Sequence, residues 1–124
     1  MNDSLEDQQS QPFELSQEVV IAYPELAAIE GELPDDIKSA LSVIYMNNRA
    51  TGSFVQNVRD DKPTGDIGYQ LDLVKQTIDT LRRSPFASRL TAFIANEEKI
   101  LQQNKAASAQ VIGNKERGDD GVYR

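Results

Sequence analysis

From residue 67 to residue 81 the large apolar side chains fall at Ile67, Leu71, Val74, Ile78 and Leu81, spaced by four, three, four and three. Asp72, Lys75, Gln76, Asp79 and Arg82 occupy the rest of the helical wheel. This period predicts an amphipathic α-helix that buries one face. Asp66, directly before it, is placed to cap the first turn. A second stripe, Phe86, Leu90, Phe93, Ile94, Ile100 and Leu101, predicts another long helix to about Lys105. Ser84 is expected as its N-cap and Pro85 as its first helical position.

Upstream the pattern is less regular. Leu33-Pro34-Asp35-Asp36 reads as a helix start, with two carboxylates against the positive end of the helix dipole. Ile37, Leu41, Ile44 and Tyr45 carry that helix forward, and the run Asn47-Asn48-Arg49-Ala50-Thr51-Gly52 is expected to end it. Residues 53–59 are read as one helical turn, although Ser-Phe-Val-Gln-Asn-Val also suits a brief strand. The same ambiguity holds for residues 17–23, where Val19-Val20-Ile21-Ala22 precedes Pro24, which disfavours helical geometry at Tyr23. Residues 25–31 predict one or two helical turns, with Gly31 as the stop.

The expected fold is therefore all-α, a small bundle of four to five helices with extended, flexible arms at both ends. Residues 1–12, MNDSLEDQQSQP, hold one Leu among Gln, Ser, Asp and Glu, which is too little apolar surface to offset the entropy of ordering them. They are assigned to a flexible acidic arm, residues 13–106 to the helical domain and residues 107–124 to a flexible C-terminal tail. Within that tail Val111, Ile112, Val122 and Tyr123 are the apolar anchors, and they are the candidate partner-binding residues.

Composition narrows the function. A chain of 124 residues is the length of one ordinary domain, and 6% aromatic content leaves a thin supply of core material. There is no Cys, hence no disulfide, thiolate nucleophile or thiolate metal site. There is no His, so the side chain most used for proton transfer near neutral pH is missing. No run of about 18 apolar residues occurs and the N-terminus is acidic, which predicts a soluble protein without a signal peptide or transmembrane segment, cytoplasmic or assembled in a particle.

Charge adds an asymmetry. Residues 1–36 hold ten acids and no Lys or Arg, so in a chain of net −7 the remainder is +3. A block of one sign is commonly a solvated segment, and it can also be an arm that docks on a basic surface.

Three constellations invite a chemical reading. A calcium-loop template laid on Asp60 agrees at the sixth position, Gly65, and the eighth, Ile67. It fails at the third, Lys62, and at the twelfth, Leu71, where a bidentate carboxylate is required. A turn at Lys62-Pro63-Thr64-Gly65 followed by a capping Asp66 accounts for the same residues. Glu97 and Glu98 are adjacent carboxylates in a good helix, but neighbouring positions diverge by about 100°, so they cannot share a proton. Glu97, four after Phe93 at the edge of the apolar stripe, is expected as a solvated boundary residue. Arg82, Arg83, Arg89, Lys99 and Lys105 make the C-terminal helix pair basic, yet the junction between its helices is too tight for a helix-turn-helix. No glycine-rich phosphate loop is present.

No catalytic, cofactor or metal site is thus expected, and the sequence predicts a non-enzymatic interaction subunit or adaptor. Its partners would be proteins in a larger assembly, such as a virion or other multi-subunit complex, and homo-oligomers are allowed. One alternative is an acidic regulator (chaperone, antitoxin or inhibitor) masking a basic site on its target. The other is nucleic-acid binding through the basic helix pair, which a net charge of −7 disfavours.

Overall fold

The computed structural model describes residues 15–122, with side chains to Gly113, and these residues form five α-helices and no strand. The helices are α1 (Gln17–Ala22), α2 (Glu25–Ile29), α3 (Asp35–Arg59), α4 (Ile67–Arg82) and α5 (Thr91–Val122). Short 3₁₀ turns, Glu30–Glu32 and Ala87–Arg89, follow α2 and precede α5. The expected all-α class is what the chain adopts. Residues 17–22 are helical, which settles the first ambiguous segment, and Gly31 lies inside a 3₁₀ turn.

The chain divides into two compact units, one ending at Ser42 and one beginning at Val43, so the division falls inside α3. In the N-terminal unit Leu15, Val19, Tyr23, Leu26, Leu33, Ile37 and Leu41 are buried. Its entry is pinned where the Leu15 N–H donates to Glu30 Oε2 at 2.9 Å. Lys38 buries its stem and brings its ammonium to 4.0 Å from Asp35.

The second unit is an up-down-up bundle, and its contacts fix the directions. Asn48 meets Glu97, and Val55 clusters with Val111, so numbering rises together along α3 and α5 and the two run parallel. Ile67 also joins Val111, whereas Arg82 meets Glu98, so α4 runs antiparallel to α5. Ile67, Val74, Ile78 and Leu81 are buried and Leu71 is half-buried, which is the face read from the spacing.

Three expectations about helix ends are corrected. The helix opened by Asp35 does not stop at residues 47–52: α3 is one helix of 25 residues through Arg59, and residues 53–59 are its last turns. Its low-propensity middle is held by side-chain bonds described below. The last long helix starts at Thr91, not at Pro85. Ser84 forms a tight turn instead, its Oγ donating to Leu81 O at 2.7 Å and accepting from Phe86 N at 3.2 Å.

At the far end α5 does not stop near Lys105. It continues to Val122, and within this extension Ala107 packs against, and Val111 belongs to, an apolar cluster with Val55 and Ile67. Residues 107–113 are therefore part of the folded body, whereas the expected tail began at 107. The expected arm, residues 1–12, lies outside the described residues.

The linker that resembled a cation loop is built from two caps. Asp61, at φ 57°, takes the left-handed conformation that Asp tolerates. Its N–H donates to Val58 O at 3.2 Å and that of Lys62 donates to Asn57 O at 2.8 Å, the Schellman pattern that closes a helix. Asp66 then caps α4, accepting from the Tyr69 N–H at 3.0 Å, as its position predicted. Gly65 between them is required by a close approach: a Cβ there would sit 2.6 Å from the Phe54 ring.

Candidate functional site

The middle of α3 faces α5 with polar groups where a bundle normally places apolar ones. Glu97 is fully buried, and Asn48 and Thr51 are buried with it. The Asn48 amide nitrogen donates to both Glu97 Oε1 and Glu97 O, each at 3.0 Å. Arg49 Nη1 donates to Glu97 Oε1 at 2.6 Å and to Tyr45 O at 3.0 Å, while its guanidinium stacks 3.7 Å from the Tyr45 ring centroid. Two turns further along α5, the Asn104 amide donates to Asn48 O at 2.8 Å. Thr51 Oγ1 turns back to Asn47 O at 2.7 Å.

A buried carboxylate needs an ionic partner and further donors to persist without water. Glu97 has Arg49 and Asn48, and Arg49 in turn is held on the tyrosine face. The Arg49 side chain keeps 40% of its surface exposed, so the pair sits at the edge of the seam and one end of it reaches solvent. Among the described residues Asn48 Oδ1 is buried without a hydrogen-bond partner. A single orphan acceptor beside one carboxylate is far short of a cation cage. Chemically the arrangement locks register; it presents no nucleophile–base pair.

Glu97 is accordingly not the solvated boundary residue expected from its neighbours. The signal was available in its position: four after Phe93 and four before Leu101, both buried, it shares their face. Its partners were not legible, since Asn48 and Arg49 lie in a segment whose composition reads as a helix end.

Glu98, by contrast, lies toward solvent and receives Arg82 from α4. The hydrogen bond from Arg82 holds the Glu98 carboxyl below the usual carboxylate range, against the opposing effect of partial desolvation, and that same bond raises the guanidinium. Asp79, 3.8 Å away, supplies a second negative neighbour to Arg82. One member of the basic set is thus engaged within the bundle.

Nearer the start of α4, that helix and α5 leave an open groove of about 320 Å³. Gly68, Leu71 and Leu101 line it together with Asp72, Lys75, Gln102 and Lys105. Of the four residues expected to meet a partner, Val111 is buried in the apolar cluster and serves the core, whereas Ile112 is exposed at 45%. Val122 closes α5 with its side chain outside the described residues, and Tyr123 lies outside them altogether. Of the two whose side chains are described, one serves the core and the other faces solvent.

Among the described residues no helix is long and apolar enough to cross a membrane. Comparison with protein-family models, with curated proteins and with solved structures finds no match for the chain.

Proposed function

We propose that the chain is a non-enzymatic interaction subunit or adaptor of a larger protein assembly, docking through its helical body. The observation that carries this reading is the way polar and apolar groups are spent. In the second unit the buried Asn48 and Glu97 bond to each other across α3 and α5, joined by Arg49 and Asn104, whereas Ile21, Met46, Tyr69 and Ile112 keep large apolar surfaces exposed. Single exposed apolar residues are ordinary. Here, however, Tyr69 and Ile112 lie on the two helices that form a charged-rimmed groove with leucines in its lining, which is the composition of a docking face rather than a reaction centre.

A second reading, an acidic regulator that masks a basic site, draws on the absence of any Lys or Arg in the first 36 residues. The two readings separate in one experiment. Untagged protein purified from its source under mild conditions should elute as a stoichiometric complex whose other members are structural proteins. A lone basic enzyme as partner would favour the regulator, and a chain that elutes alone at every step would sink both.

A further inference from the structure

Ile21 is the most exposed large apolar side chain among the described residues, at 71%. It lies on α1, where Glu18 is one turn earlier on the same face, and Glu25 opens α2 just beyond. Both glutamates are exposed. The groove on the α4–α5 pair has the complementary character. Half-buried Leu71 offers the apolar surface, Lys75 and Lys105 flank it from the two helices, and Asp72 is the one acid in its lining. Gly68 opens the approach, since a Cβ there would meet only Asp66 Oδ1, at 3.5 Å.

We propose that these two surfaces form one contact between copies of the chain, with α1 of one copy seated in the α4–α5 groove of the next. Ile21 covers Leu71, and Glu18 and Glu25 face Lys75 and Lys105. Removing an exposed Ile from water supplies the drive, and the opposite charges choose the partner surface. Pairing like with like would set acidic helix against acidic helix, or lysine rim against lysine rim, and both are repulsive. The contact therefore joins unlike surfaces: each copy offers one helix and one groove, and the assembly closes as a reciprocal pair or a larger ring, or extends as a filament. This inference rests on the interaction reading above and names a second copy as the partner.

Sedimentation of the full chain across a concentration series, at low and high salt, tests it. The expected result is association that grows with concentration and weakens with salt. Ile21→Glu, and separately the pair Lys75→Glu/Lys105→Glu, should each weaken association by at least about tenfold. Mixing the two variants should restore a 1:1 complex that grows no further, because one retains the groove and the other the helix. Adding Glu18→Lys/Glu25→Lys to the lysine-reversed chain should recover self-association. Circular dichroism melts verify that each variant is folded. Asp72→Asn, a mild change on the rim, should tighten association and serves if a reversal fails to fold.

A wild-type chain that is monomeric throughout, or folded variants that associate as the wild type does, would overturn the contact. So would an associating wild type whose two variants do not complement. A monomer that still binds a different protein stoichiometrically ends this proposal and leaves the interaction reading standing; a monomer that binds nothing ends both.

Discussion

Two stretches of the same helix pair solve the packing problem differently. Where Asn48 and Arg49 of α3 meet Glu97 of α5, the contact is polar and directional. Two turns further along, Val55 meets Val111 with Ile67 of α4, and Phe54, Val58, Leu71 and Ala107 pack around them without a polar atom in the side-chain set. The apolar end gains free energy in proportion to area and tolerates small shifts of one helix along the other. The polar end gains little net energy, because burying a carboxylate costs nearly what pairing it returns. It does penalise every register in which Glu97 loses Arg49 and Asn48. Stability and specificity are thus carried by different turns of α3.

The largest effect is expected where the polar end is broken from one side. Arg49→Ala should destabilise the chain by about 2–4 kcal/mol, since Glu97 stays buried without its cation; the partial exposure of Arg49 keeps the loss below the top of the range. Chemical denaturation gives the value, and a loss under half a kilocalorie would mean that water already solvates Glu97. The triple replacement Asn48→Leu/Arg49→Met/Glu97→Leu should be far milder than the single one, and amide exchange should report a less uniquely packed α3–α5 seam. Equal costs for the single and triple variants would contradict a register role.

At the apolar end Val111→Ala should cost about 1–2 kcal/mol, while Ile112→Ala, one residue on and exposed, should stay within about 0.5 kcal/mol. Equal costs would place the wrong face of α5 against Val55. Asp66→Ala removes the cap of α4 and should cost about 1 kcal/mol, with Asp66→Asn nearly silent because Asn also caps.

The smallest effect belongs to the exposed pair. The Glu98 carboxyl is depressed by the Arg82 hydrogen bond, so its contribution is present above the unfolded value and is lost as pH falls through the folded one. Glu98→Gln should therefore cost less than about 1 kcal/mol at neutral pH, shrink in high salt and vanish in acid, as thermal midpoints across a pH series would show. A cost that grows toward low pH would reverse the sign and break the assignment.

What the sequence determined by itself is whatever rests on short-range chemistry. The stripe from Ile67 to Leu81 and the Asp66 cap were legible because a helix period and a side chain accepting from a backbone N–H three residues on involve only local geometry. The tertiary structure decided everything that depends on a partner far along the chain. Asn47-Asn48-Arg49 and Gly52 read as a helix end because their propensities are poor. They remain helical because Asn48 and Arg49 find Glu97, nearly fifty residues on, and Asn104 donates to Asn48 O. Val111 read as part of a tail because few apolar residues surround it in sequence. It is buried because α3 and α4 bring Val55 and Ile67 to it, and a propensity difference of about 1 kcal/mol per residue gives way to such burial once the helices are paired.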